Sequence, residues 1–343
     1  MSRRVRTLLV SGVLFLVLFV LALTLPVPYV VLSPGPTFNT LATDDRGSSI
    51  IVIKGATQHT VSGHLNMTTV NVSTQPLTVF TALSGWLQHD EVVVPKSSVY
   101  PPGTSQQQVD QQNTADFAES QDNAIAAAAC ELGYPAQFGV IVVQADTPAK
   151  GKLQPADVLK TIDGKPVASA DALTAVLQKT KPGTTITIGI VRAGKPQSVT
   201  LAVAAPLSGK TGARIGVQVG QVCATPYTVD LGLGNEIGGP SAGLMFALGI
   251  MDKVGTTNLT AGRFIAGTGT IDSSGTVGPI GGIQLKMIAA RHAGATVFLA
   301  PAGNCSDVRG AVPKGLQVVK VDTLHNAVQD LLAIEAGKST PSC

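Results

Sequence analysis

Hydrophobic and polar positions divide this chain into one long apolar run and many short patterned segments. Leu8 to Leu25 is uncharged and almost wholly apolar. Eighteen residues at about 1.5 Å each reach across most of a roughly 30 Å hydrocarbon core, so the run predicts a membrane-spanning helix. Pro26, Pro28, Pro34 and Pro36 then predict a stiff stalk without helix. Ser49–Ile53 and Met67–Val72 read as strands, and Leu77, Phe80, Leu83 and Leu87 share one helical face. Gln106–Gln121 is polar enough for an exposed or partly mobile helix. It leads into an alanine-rich helix over Ala124–Leu132 that Gly133 ends.

From Tyr134 to Val203 the pattern is that of a small sheet with one helix. Phe138–Val143 is a short buried strand, Asp163-Gly164 marks a hairpin, and Ser169–Gln178 is amphipathic through Leu173, Val176 and Leu177. Thr185–Val191 and Ser198–Val203 are strands about the Ala193-Gly194 turn, and Ser208–Gly212 is a small polar linker. Ile215–Val219 is expected to begin the last unit. Strands near Phe264–Ile271, Val277, Thr296–Leu299 and Val318–Val321 and a helix over Leu324–Ile334 complete it.

Two glycine-rich turns in that last unit run straight into helices, within a stretch that starts at Asn235 and Glu236. Gly238, Gly239 and Pro240 precede Leu244, Met245, Leu248 and Met251 at helical spacing, which puts Ser241 at a helix start. Free amides and the positive dipole end converge there, the setting an oxyanion hole needs. Gly281 and Gly282 open a second helix that Gly294 closes, with Lys286 among Ile283, Met287, Ala289 and Ala290. Desolvating that amine lowers its pKa; a value near 7 lies roughly three units below the usual 10.4 and costs about 4 kcal/mol. A neutral lysine can take the proton of a serine hydroxyl.

Gly239-Pro-Ser-Ala-Gly243, the Thr268-Gly269 pair, Pro279-Ile-Gly-Gly282 with Lys286, Ala289-Ala290 and Gly294, and then Pro301 and Asn304 occur in that order. In this, Gly238 to about Asp330 resembles the proteolytic domain of the Lon family of Ser-Lys endopeptidases. The resemblance implies Ser241 as nucleophile, Lys286 as base and Thr268 as an auxiliary group holding the lysine amine. The chain departs from the family in carrying Gly238 and Thr270 where acidic residues are usual. Gly151-x-Leu153-x-Pro155-x-Asp157-x-Leu159, followed by Ile162-Asp163-Gly164, resembles a PDZ domain of the bacterial protease type. That implies peptide capture by strand addition, with Gly139, Val140, Ile141 and Val142 bordering a groove against the Ser169–Gln178 helix. The alternative is a unit that only rigidifies its neighbour.

Composition narrows the classes. A chain of 343 residues is long enough for two or three domains, and a net charge of +3 with 4% aromatic residues argues against a nucleic-acid partner. Four cysteines without a Cys-x-x-Cys, and five scattered histidines, give no metal or cofactor site. They fit an oxidising compartment; of the three pairings open to them, the terminal Pro-Ser-Cys suggests Cys343 with Cys305. Arg3, Arg4 and Arg6 predict a cytoplasmic amino end, and Leu23-Thr24-Leu25-Pro26 is a poor cleavage site, which favours a retained single-pass anchor. Gly189 to Lys195 superficially matches a phosphate loop, but Pro196 stands where Ser or Thr should hold magnesium, so ATP-independent proteolysis is expected.

The expected fold is α+β. It comprises a cytoplasmic tail (1–7), a transmembrane anchor (8–25), a membrane-proximal α/β region (26–133), a PDZ domain (134–205) and a Lon-type protease domain (206–343). The expected function is a membrane-tethered extracytoplasmic serine endopeptidase acting on proteins or peptides, with ring-forming relatives that leave a homo-oligomer open. Two rivals stand beside it. One is an esterase using Ser241 with Asp272 or Asp322 and His292 or His325; the other is a PDZ adaptor whose protease-like domain serves only assembly.

Overall fold

Alternation of inward and outward residues along the strands builds two six-stranded sheets, with three two-stranded pairs beside them among the described residues. The computed structural model describes residues 3–42, 49–73, 75–88, 90–207, 211–232 and 237–343. The apolar run forms α1 (Arg3–Thr24), none of whose side chains is buried. After it come β1 (Pro26–Val27), β2 (Tyr29–Asn39), β3 (Ile51–Lys54), β4 (His64–Val72) and β5 (Leu77–Thr78). Then follow α2 (Val79–Leu87), β6 (Val92–Pro95) and α3 (Gln106–Glu131).

The middle of the chain is a separate antiparallel sheet. Its elements are β7 (Ala136–Val143), β8 (Val158–Ile162), β9 (Lys165–Pro166), α4 (Ala170–Lys179), β10 (Thr185–Arg192), β11 (Lys195–Ala202) and β12 (Val217–Cys223). The strand order is β11-β10-β8-β7-β12, with β9 beside β8. Inside it the Arg192 guanidinium donates to both carboxylate oxygens of the buried Asp157 at 2.6 Å. The apparent phosphate loop is the hairpin between β10 and β11, whose turn takes Ala193 and Gly194 to positive φ.

The remainder comprises β13 (Thr228–Leu231), α5 (Gly243–Val254), β14 (Phe264–Gly267), β15 (Thr270–Ile271) and β16 (Val277–Gly278). It ends with α6 (Ile283–His292), β17 (Val297–Pro301), α7 (Cys305–Val308), β18 (Gln317–Val321) and α8 (Leu324–Glu335). These do not form a sheet of their own. The order is β18-β17-β14-β4-β2-β6, so the presumed membrane-proximal region contributes β4, β2 and β6 to the same sheet. Its first four strands are parallel, and β2 and β6 run antiparallel. Apolar residues alternate between its faces: Val297 and Leu299 face a core shared with α3, α5 and α8, while Phe298 and Ala300 face one shared with α6 and α7.

Several boundaries therefore move. Residues 26–133 and 206–343 are not separate units: the PDZ-like sheet is inserted into one α/β unit between α3 and β13. Ile215–Val219 does not start the last unit, because β12 pairs with β7 from Val217↔Val143 to Cys223↔Ala136. The proline-rich stalk is mostly β2. Its register against β4 shifts between Pro34 and Thr37, which is where a strand tolerates residues lacking an N–H. The polar and alanine-rich stretches are one helix of 26 residues, started by a Ser105–Gln108 capping box. The linker expected at Ser208–Gly212 falls mainly outside the described residues, as do Asn235 and Glu236.

Disulfides join Cys130 to Cys223 and Cys305 to Cys343. The first crosses the neck of the insertion, linking the end of α3 to the end of β12. The second ties the tail to the start of α7.

Candidate active site

Two glycine turns on opposite faces of the mixed sheet aim at the carboxyl end of β14, where the open α/β topology leaves a crevice. Gly239 takes φ +85°, open to glycine without strain, and turns the chain into α5. A Cβ at Gly243 would lie 2.6 Å from the Ile271 side chain and 2.8 Å from Ser120 Oγ, so helix and strand close only over glycine. Ser241 just precedes α5, whose residues Gly243–Lys253 are all buried. Its carbonyl accepts from the Gly269 amide at 2.9 Å and from Thr268 Oγ1 at 3.0 Å, which fixes the turn against the residues following β14.

On the other face Gly282, at φ +71°, starts α6, and Lys286 lies one turn in. Asn304 pins the approach: its side chain accepts from the Ile280 amide at 2.9 Å and donates to the Ile280 carbonyl at 2.8 Å. The Lys286 side chain is 3% exposed, and its Nζ lies 2.8 Å from Ser241 Oγ and 3.0 Å from Thr268 Oγ1. Burial among apolar groups pulls the amine down to about 8. Both hydroxyls can accept from the ammonium, and the Ser241 hydroxyl can donate to the neutral amine, so the same geometry serves either protonation state. A cleft of about 530 Å³ opens onto the pair, lined by Pro36 and Phe38 of β2, Met67–Asn71 of β4, Phe117 of α3 and Ile237–Ala242.

Sequence reasoning did not single out α3 as part of this site. The Gly239 amide donates to the Asn113 carbonyl at 2.8 Å, and Ser120 Oγ donates to the Pro240 carbonyl at 2.9 Å. Ser120 is 3% exposed in a stretch that reads as solvated; its only signal is a small hydroxyl on the face that continues into the alanine stripe.

The esterase constellation does not assemble. His325 pairs with Glu131 at 2.7 Å, Asp272 accepts from Ser274 and Thr276, and Asp322 faces Lys320 at 3.6 Å. His292 is exposed at the far end of α6. None of these bonds to Ser241.

The strand expected to border a peptide groove is covered on both edges. Gly139, Val140, Ile141 and Val142 lie in β7, which β12 covers along its length and β8 pairs at Gly139. A cleft of about 600 Å³ runs between α4 (Leu173, Leu177) and Ile215, Val217 and Val219. Among the described residues, the sheet edge beside this cleft is β12, and the opposite edge is β11. The chain returns past α4 through Gly212, whose Cβ would come 2.4 Å from Gln178 Cα, and so lays residues 213–219 outside β7.

Comparison with known proteins finds two families along the chain. Residues 109–203 match the PDZ domain family, and residues 236–334 match the Lon protease (S16) C-terminal proteolytic domain. Lon protease of Heliobacterium modesticaldum is 36% identical over 97 residues, 27% of this chain. Lon protease 2 of Bacillus subtilis is 31% identical over 99 residues, 29% of this chain. The matched stretches span 12% and 17% of those two relatives. Among solved structures, the PDZ domain of the SdrC-like protein from Listeria monocytogenes aligns at 24% identity over 24% of this chain and 86% of its own, with a TM-score of 0.23. The class is a mixed α/β protein that carries a PDZ domain and a Lon-type proteolytic domain. The chain also has one amino-terminal helix, α1, long and apolar enough to cross a membrane.

Proposed function

We propose that the protein is a membrane-tethered serine endopeptidase acting outside the cytoplasm on proteins or peptides, independently of ATP, with Ser241 as nucleophile and Lys286 as base. The observation that carries this reading is a buried lysine amine 2.8 Å from a serine hydroxyl at the mouth of a cleft. Neutral Lys286 accepts the Ser241 proton as Oγ attacks the scissile carbonyl, and Thr268 holds the amine in line. The amides of Ser241 and Ala242 make no backbone hydrogen bond among the described residues, and in this reading they receive the oxyanion. Lys286 then returns its proton to the leaving amine, and water, deprotonated by the same lysine, releases the acyl group.

The two disulfides favour an oxidising compartment, and the three arginines at the amino end of α1 favour a cytoplasmic start. ATP independence is supported by the β10–β11 hairpin, which has no helix start to cradle phosphates. The β12–α4 cleft suits capture of an extended segment by strand addition. Labelling of the purified chain with a serine-reactive fluorophosphonate tests the centre. Labelling of Ser241 that Lys286→Arg abolishes is expected; unlabelled wild-type protein would instead favour the adaptor reading.

A further inference from the structure

Helix α2 is apolar on the side that faces away from the protein. Phe80, Leu83, Trp86 and Leu87 fall on one stripe, 49%, 54%, 78% and 82% exposed. No charged residue occurs in α2. The opposite side lies flat on the sheet: a Cβ at Gly85 would stand 3.3 Å from the Val93 side chain and 3.4 Å from that of Val31. The stripe therefore cannot be turned inward without lifting the helix from β2 and β6.

Its position argues for the occupant. Helix α1 ends at Thr24, and two residues later Pro26 pairs with Thr78, the residue that caps α2. The apolar stripe thus begins beside the exit of the apolar helix, and α1 and α2 touch. Tyr29, 42% exposed, opens β2, and Lys96, whose amide bonds the Pro28 carbonyl, follows β6, the two strands on which α2 packs. A tryptophan, a tyrosine and a lysine around an uncharged stripe make the residue set of a bilayer interface, where amphipathic rings and snorkelling amines meet headgroups.

We infer that α2 is a second membrane contact, embedded by its Phe80–Leu87 stripe in the headgroup and upper acyl region of the bilayer that α1 spans. This rests on the reading of α1 as a membrane anchor. A short interfacial helix of this kind buries its apolar face about 5–10 Å deep. Two points of attachment fix the tilt of the sheet as well as its tether. Strand β2 starts at Tyr29 beside the membrane and reaches the cleft at Phe38, so the cleft stands no more than about 30 Å above the lipid surface.

Trp86 is the chain's only tryptophan, which makes the test direct. Full-length protein is reconstituted into phosphatidylcholine–phosphatidylglycerol vesicles with lipids brominated at shallow or deep acyl positions. Blue-shifted Trp86 emission, quenched more by shallow than by deep bromines, is expected. A second reporter, Phe15→Trp with Trp86→Phe, reads α1 and should be quenched most by deep bromines. Deep quenching of that reporter with Trp86 unquenched overturns the inference and leaves the anchor standing. Failure of both reporters, with no flotation alongside vesicles, overturns the anchor and the inference together. A Trp86 blue shift that grows with protein-to-lipid ratio but ignores bromine would assign the stripe to a second copy of the chain. Leu83→Ser with Leu87→Ser should abolish shallow quenching while leaving circular dichroism and flotation unchanged.

Discussion

Two clefts of similar size, about 530 and 600 Å³, are built in opposite ways. The first ends on a lysine withdrawn from water, held by two hydroxyls and roofed by elements from both ends of the chain. The second is an open strip between α4 and β12, an edge strand among the described residues, lined by Leu173, Leu177 and Val219. In the proposed reading, the Lys286 cleft turns the electrostatic cost of burying an amine into reactivity, whereas the β12 cleft turns an open strand edge into affinity. On that reading, chemistry demands a precise polar pair at the end of a cleft, while capture demands only an open strand edge.

The largest expected effects break the first cleft without touching the second. Ser241→Ala and Lys286→Arg should each lower kcat/KM on a fluorogenic peptide by about a thousandfold or more, since guanidinium stays protonated. Binding of an extended peptide to the PDZ-like unit, read by fluorescence anisotropy, should be unchanged. Severing the neck between the two units should come next. Cys130→Ser with Cys223→Ser removes a crosslink spanning 93 residues and should cost about 4 kcal/mol in denaturant unfolding.

The third expectation uses the shifted amine. With Lys286 near 8, the neutral fraction rises as pH increases, so kcat should climb roughly tenfold between pH 7 and pH 9. Stability moves the same way. The folded pKa lies below the unfolded value of 10.5, the unfolded chain therefore holds more protons between about 8 and 10.5, and stability rises through that window. Below pH 8 the full cost is present. Lys286→Met should then abolish turnover yet stabilise the fold at pH 7 by up to about 3 kcal/mol, a trade visible by calorimetry.

The smallest effect sharpens the role of α3. Ser120→Ala removes one hydrogen bond to the Pro240 carbonyl, about 1 kcal/mol, and should lower kcat severalfold with KM unchanged. A change confined to KM, or to melting temperature, would make Ser120 a packing residue instead of one that positions the nucleophile.

Local signals explain which parts were legible in the sequence. The Gly239–Gly243 and Gly281–Gly294 segments announce their helices because each needs glycine at a positive φ or a close contact, and the order of motifs does the rest. Strand register across the insertion was not legible. Ile215–Val219 looks like any alternating strand, and nothing nearby says that it pairs with β7 some 75 residues earlier. The prolines of β2 read as a stalk because a bulge that tolerates them is a property of the partner strand. Gln106–Gln121 reads as exposed because polar side chains outnumber the few, Phe117 and Ser120, that turn inward.

Strand β4 sits between β2 and β14, with His64 opposite Phe264. In the proposed topology the residues after α1 cross in chain order, so β4 waits half-paired until two hundred more residues have followed. The inserted sheet can complete itself in the meantime, since all its strands have by then arrived. If the proposed function holds, a chain assembled in this order stays harmless while unfinished and acquires its cutting centre only when the last parallel strands dock.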